Sequence, residues 1–326
     1  MQQSTTSSSA LTEESLLQVL TEARAAAEAG CVEQATALFD EQVIASADKM
    51  IDANPSRTDL IFLMANIFHA IRELDKAEHY YRKVLAYEPN PLACINMGHI
   101  CHFSGRLSQA IKCRQKAVEL RPEEPSVYCD LGCSMMFTGQ KEEGIKMLRK
   151  AVEMAPDDSD IHSTYLFRLH HLPDLDLREL YEEHRRWAQI HAPARLAKIS
   201  HDNTPQPDRK IRVGYISGDF RTHPVAYFFE PLLDEHDRAC VEVYGYSNTP
   251  RPDHVTERLK HKFDHYRHIR SLCDRDIANL IEQDKIDILI DLAGHTPGNS
   301  LTVMAHKPAP IAVTYLGYPD TTGMKK

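Results

Sequence analysis

Hydrophobic and polar positions follow two rhythms along the chain, and the change falls at Arg212. Downstream, short β-rich apolar runs, IRVGYIS, VEVYGYS, IDILIDLAG and IAVTYLG, are separated by helical stretches: VAYFFEPLLDEH, DHVTERLKHKFDHY with DRDIANLIEQDK, and SLTVMAHK. Strands alternating with helices predict βαβ units and a parallel sheet, here of four strands.

Upstream the rhythm is a repeat. Pro122 and Pro156, Gly98 and Gly132, Gly105 and Gly139, and Ala117 and Ala151 all stand 34 residues apart. That is the tetratricopeptide period, and PLACINMGHICHFSGRLSQAIKCRQKAVELRP and PSVYCDLGCSMMFTGQKEEGIKMLRKAVEMAP follow its template in turn. Gly98 and Gly132 let the first helix of each pair approach the second, while Gly105 and Gly139 end the first helix in the left-handed conformation. TDLIFLMANIFHAIRELDKAEHYYRKVLAYEP fits through Ala65, Ala77, Tyr81 and Pro89. A degenerate unit surrounds Gly30 and Ala35, and a last helix starts at Ser159 and loses the pattern near Pro173. Atypical end units suit a capped solenoid.

The period assigns several residues to packing. Cys94 and Cys101 take core positions of their helices, and His69, His79, His99 and His102 are read as surface polar residues, none at metal-ligand spacing from another ligand. Asn96 and Asp130 share one repeat position and are expected to line a concave groove, hydrogen-bonding an extended peptide or simply facing water. The predicted division is a disordered polar tail over 1–10, repeats over 11–172, a helix carrying Trp187 and a polar linker over 173–209, and a sheet lobe over 210–326.

Composition narrows the function classes. A formal charge of −9, with acids interspersed through every basic stretch, argues against a nucleic-acid partner. No long uncharged apolar run offers a membrane span, and MQQSTTSSSA lacks the basic and apolar parts of a signal peptide. Eight cysteines without a C-x-x-C pair fit reduced thiols in a cytoplasmic protein. No metal site is expected.

In an open parallel sheet, ligands bind beyond the carboxyl ends of the strands. Three loops at that edge are rich in glycine, hydroxyls and imidazoles: SGDFRTHP (217–224), GHTPGN (294–299) and GYPDTTG (317–323). They make Ser217, Asp219, His223, His295, Thr296, Thr321 and Thr322 the candidate site residues. The acidic pairs Asp174/Asp176 and Asp274/Asp276 sit at predicted helix starts and are read as complements to the helix dipole. His261, His265 and His268 are predicted on one solvated helix face.

RVGYISGDFRTHPVAYFFEPLL, EVYGYSNTPRPDHVTERLK, DILIDLAGHTPGN and KPAPIAVTYLGYP, in this order, resemble bacterial protein O-GlcNAc transferases of glycosyltransferase family 41. The resemblance implies a tetratricopeptide α-solenoid followed by an incomplete Rossmann-like parallel-sheet lobe of a GT-B fold. It also implies transfer of N-acetylglucosamine from UDP-GlcNAc to Ser or Thr hydroxyls of protein or peptide acceptors, with no metal. By position, His223 matches the family's H-P histidine beside sugar and acceptor, as a base or a positioning group. His295 and Thr296 match the loop facing the sugar, Asn96 matches the groove asparagines, and Asp130 departs from them. Family members continue beyond the last turn into a second lobe that binds uridine and diphosphate, so the chain is expected to be truncated and inactive alone; Asp320 also replaces a glycine of that turn. The alternative is a repeat-based adaptor for protein partners.

Overall fold

The computed structural model describes residues 12–29, 31–198 and 200–325. The expected tail over 1–10, and Gly30, lie outside them. Packing divides the chain into two compact units, 1–140 and 141–326. The break thus falls after Gln140, whereas the composition of the sequence changes at 173–209.

The first unit is helical. It comprises α1 (Glu13–Glu28), α2 (Val32–Leu38), α3 (Glu41–Ala53), α4 (Thr58–Ala70), α5 (Leu74–Tyr87), α6 (Pro91–Phe103), α7 (Leu107–Leu120) and α8 (Pro125–Phe137). Their starts follow the capping chemistry of the sequence: Thr12, Asp40 and Asn90 each accept a hydrogen bond from a backbone N–H of the first turn, and Pro91 opens α6 where no donor is needed. Apolar faces meet around Phe68, which touches Phe39 edge-on and stacks on Tyr80. Cys94 and Cys101 are buried, as the period predicts. A Cβ on Gly98 would come 3.0 Å from Arg114 Cγ, so this glycine admits the α7 side chain. The buried Arg114 in turn donates to Ser134 and to the Asp130 carbonyl.

Three helices end alike. At Gly105 and Gly139 φ is +73° and +83°, and the following N–H reaches back to Cys101 and Met135. The equivalent turn after α4 has the same bonds, Glu73 N–H to the Phe68 carbonyl and Arg72 N–H to the His69 carbonyl, but places Arg72 at φ +71°.

The second unit opens with α9 (Lys141–Met154), α10 (Ser159–Leu169) and α11 (Leu177–His191). The sheet region follows: β1 (Ile211–Ser217), α12 (Pro224–Asp234), β2 (Val241–Ser247), α13 (His254–Lys260), β3 (His265–His268), α14 (Asp274–Gln283), β4 (Ile288–Asp291), α15 (Leu301–Ala305) and β5 (Ile311–Thr314). All strands are parallel, in the order β3-β2-β1-β4-β5, with Val213 beside both Val243 and Ile288. Alternation along β1 explains the layers. Val213 and Tyr215 face a core with Phe229, Leu233, Val255 and Leu259 of α12 and α13, whereas Ile216 faces one with Ile277 and Ile281 of α14 and Val303 and Met304 of α15.

Three expectations change. Among the described residues the sheet has five strands, because His265 and His268 lie on the edge strand β3 and not on a helix face; His261 caps the end of α13. His265 stacks on Tyr244 and reaches the Glu242 carboxylate at 2.8 Å. The polar linker is tied to the sheet: Arg209 forms two hydrogen bonds to Asp287 (2.6 and 2.7 Å), and the Asn203 amide bonds the same carboxylate at 2.7 Å. Of the acidic pairs, Asp176 serves a helix start by accepting from the Arg178 N–H, and Asp274 and Asp276 lie in the first turn of α14, whereas Asp174 lies in the turn before α11.

Candidate functional site

The carboxyl edge of the sheet gathers the loops after β1, β2 and β4. The Asn248 N–H donates to the Ser217 carbonyl (2.9 Å), and the Asn248 amide leans toward the Gly298 carbonyl. Gly218 lies so close to that carbonyl that a Cβ would meet it at 3.1 Å. Ser217 is buried, and its hydroxyl accepts from the Asp219 N–H at 2.9 Å, turning the chain back at the strand end.

His223 is the N-cap of α12. Its Nδ1 accepts from the Val225 N–H at 3.3 Å and stands 3.6 Å from Asp219 Oδ2, and its side chain remains 35% exposed. Neutral histidine carries one ring proton, so this bond leaves it on Nε2, the nitrogen free to meet a ligand. Asp219 is nearly buried, and Arg221 approaches it at 3.4 Å.

Asp253, which sequence reasoning passed over, fixes this loop from the side. Its carboxylate accepts from the N–H groups of Val255 and Thr256 and, across 31 residues, from the Thr222 N–H at 2.8 Å; the Asp253 N–H donates to the Thr256 hydroxyl. Desolvation opposes its charge, but these hydrogen bonds outweigh it and hold the carboxyl well below the usual range. The Asp253-x-x-Thr256 spacing is the legible signal of a capping box; the bond to Thr222 is not.

The loop after β4 is organised by Asp291. This fully buried carboxylate accepts from the N–H groups of Gly294 (2.7 Å) and Ala293, and burial pushes its pKa up to about 7. Thr296 turns its hydroxyl back to the Ala293 carbonyl. His295 is corrected: it does not line the open edge. Its ring is wholly buried, with Nδ1 against the Ser163 hydroxyl (3.1 Å) and Nε2–H donating to the Thr322 carbonyl (3.2 Å). Burial, with His184 nearby, lowers its pKa to about 3.

The last turn closes on the helices of the same unit. Tyr318 bonds both His170 and His184, Gly323 lies at φ +73° where a Cβ would strike the His184 carbonyl, and Thr321 and Thr322 spend their hydroxyls as acceptors for the N–H groups of Gly323 and Met324. The structure therefore brings Ser217, Asp219 and His223 together, and puts His295 and the Thr322 carbonyl in a separate buried cluster.

Asn96 and Asp130 belong to the first unit and have partners there. The Asn96 amide donates to Tyr81 Oη (2.8 Å) and Asn66 Oδ1 (3.2 Å), and Asp130 meets His99 Nε2 at 3.0 Å. His99 is thus paired, and both side chains are half-buried.

Paired helices at a 34-residue period and a parallel sheet with a polar loop edge define a tetratricopeptide protein carrying a Rossmann-like lobe. Comparison with known proteins sharpens this. Residues 188–325 match the model of Glycosyl transferase family 41, and residues 58–91, 92–124 and 125–158 match the tetratricopeptide repeat. The repeats and the sheet lobe are thus similar to those of O-GlcNAc transferases. It superposes on the Thermobaculum terrenum O-GlcNAc transferase mutant K341M with a TM-score of 0.73 and 35% identity, over 82% of this chain and 52% of that one. It is 41% identical over 150 residues to the probable UDP-N-acetylglucosamine–peptide N-acetylglucosaminyltransferase SPINDLY of Hordeum vulgare, and 35% identical over 120 residues to the UDP-N-acetylglucosamine–peptide N-acetylglucosaminyltransferase of Caenorhabditis elegans. Those matches cover 45% and 36% of this chain, and 16% and 10% of the relatives. The chain thus spans about half of the solved relative and a sixth or less of these two. Among the described residues, no helix is long and apolar enough to cross a membrane.

Proposed function

We propose that the loop edge of the sheet is the acceptor and sugar side of a transferase moving N-acetylglucosamine from UDP-GlcNAc to Ser or Thr hydroxyls of proteins. The observation that carries the reading is His223, held by Val225 and Asp219 at the carboxyl end of β1 in a region of the family 41 type. In such a transfer the acceptor oxygen attacks the anomeric carbon, its proton departs, and UDP leaves with the electron pair of the glycosidic bond. With its proton on Nε2, His223 donates a hydrogen bond and orients an oxygen of the acceptor or donor. A base role requires the other tautomer, in which Nδ1–H turns to Asp219 and frees the Nε2 lone pair. Asp219 is therefore the positioning residue that selects between the two.

Ser217 shapes the turn, and Thr296, Thr321 and Thr322 act through backbone geometry. No metal or cofactor enters the proposed transfer step. The repeats are proposed to hold the protein acceptor, with Asn96 and Asp130 on the peptide-facing surface.

The deciding experiment follows the His223 imidazole by nuclear magnetic resonance while UDP-GlcNAc and a Ser/Thr peptide are added separately and together, alongside a sugar-transfer assay. A saturable His223 shift with either ligand, lost in Asp253→Ala, supports the reading. Unmoved His223 resonances with both ligands present overturn it, and transfer by the isolated chain that survives in His223→Ala removes the assigned role.

A further inference from the structure

Four polar side chains converge beside α10 and α11, away from the His223 loop. His170 follows the last turn of α10, His184 lies on α11, and Tyr318 and Asp320 sit in the turn after β5. Tyr318 Oη is 2.7 Å from His184 Nε2 and 2.9 Å from His170 Nε2. His170 Nε2 is also 3.7 Å from Asp320 Oδ2, and the ligand atoms of the two histidines and Asp320 all lie within 4.8 Å of one another.

We propose that His170, His184, Asp320 and Tyr318 form a binding site for one divalent transition-metal ion, of the class for which zinc is the natural probe. Two imidazole nitrogens and two oxygens suit a borderline ion held at about 2.0–2.2 Å in tetrahedral geometry, which spaces ligand atoms about 3.3–3.5 Å apart. The observed separations, from 2.7 Å to at most 4.8 Å, bracket that spacing, so closing the site changes individual separations by up to about 1.3 Å. His184 is already set for it. Its Nδ1–H donates to the Leu180 carbonyl at 2.8 Å, which leaves the lone pair on Nε2 and fixes the ring, the arrangement that orients metal-ligating histidines.

Without an ion, Tyr318 donates to His184 and accepts from His170 Nε2–H. Binding replaces that relay: the Tyr318 phenolic proton leaves to solvent, the His170 proton moves to Nδ1, and phenolate plus the Asp320 carboxylate balance the two positive charges. The ion would fasten the 317–323 turn to α10 and α11. The site is independent of the transfer reading. Sequence reasoning expects no metal because the ligands are spread over 151 residues, from 170 to 320.

The test is zinc titration of the chelator-treated full chain by calorimetry, in two buffers of different ionisation heat, with ultraviolet difference spectra. One saturable site per chain releasing about one proton, with a tyrosinate band absent in Tyr318→Phe, is expected. His170→Gln and Asp320→Asn change partly exposed side chains and are expected to weaken zinc at least about tenfold, the loss that even an outer hydrogen-bond partner produces, with unchanged circular dichroism. The absence of a saturable site, the absence of the tyrosinate band, or equal affinity in wild type and either variant overturns the proposal, the last because the ion then sits elsewhere among the 18 histidines.

Discussion

The imidazole of His295 meets the indole of Trp187 edge to face, with ring centroids 4.7 Å apart and planes at 82°. His191 packs on the same indole at 5.2 Å, and the Trp187 Nε1–H donates to the Ser159 carbonyl. The single tryptophan of the chain thus reports on a buried histidine cluster whose members resist protonation: burial holds His295 at about 3 and His191 at about 4.

Acid should therefore unfold this unit early. The ordinary histidine value is about 6.5, so between roughly pH 6.5 and pH 3–4 the unfolded chain binds more protons than the native one. Stability is fully present above that window and falls as pH drops through it, by up to about 1.4 kcal/mol per pH unit for each fully titrating histidine. Asp291, raised to about 7, has the opposite sign and offsets part of one such slope above pH 4. Urea midpoints of the chelator-treated protein, read by Trp187 fluorescence, are expected to fall from pH 7 to pH 5, and His191→Gln should flatten the dependence. A midpoint independent of pH would contradict the cluster's assignment.

The three equivalent helix ends set up a second prediction. Arg72 adopts the left-handed conformation that Gly105 and Gly139 adopt in the same motif, at a typical cost of about 1–2 kcal/mol for a residue with a Cβ. Arg72→Gly should stabilise the first unit by up to about 1 kcal/mol after the glycine's extra unfolded-state entropy, and Gly105→Ala should destabilise it by a similar amount. Chemical denaturation followed by circular dichroism decides the sign of each.

Asp253 carries a third. Asp253→Ala removes the α13 cap, worth about 0.5–2 kcal/mol, and also strips the Thr222 N–H of its partner. Amide hydrogen exchange at Thr222 is expected to accelerate sharply while exchange in β4 barely changes. Uniform acceleration across the sheet would indicate global destabilisation instead.

The His223 tautomer is the fourth. Nitrogen-15 shifts should place the proton on Nε2 in the wild type, because Nδ1 accepts from Val225. Asp219→Asn should keep that tautomer and lower any transfer reaction that needs Nε2 as a base by about 10²–10⁴-fold. An Nδ1-protonated ring in the resting protein would reverse this order of roles.

The sequence is legible where a local rule operates alone. The 34-residue spacing locates the paired helices, and the apolar runs at β1, β2, β4 and β5 locate four strands. It is silent on β3, because HYRH is a polar edge strand with one neighbour and nothing apolar to alternate. The reading of His295 fails for a related reason. A histidine in a glycine-rich loop looks exposed, and only the packing of α10 and α11 against that loop buries it. Asp253 shows a partial case, since its cap is written in four consecutive residues while its grip on Thr222 depends on sheet order.

The tie between Arg209 and Asp287 has a practical corollary. A segment rich in proline and polar residues invites a cut just before Lys210 when a fragment is designed, yet Lys198, His201, Asn203 and Arg209 are all bonded to the sheet region, His184 is bonded to one of its loops and Trp187 packs on another. Excision at that point would amputate the buttress of the sheet. A fragment that keeps its own support begins at the boundary of the compact unit, near Lys141, and carries three helices with it.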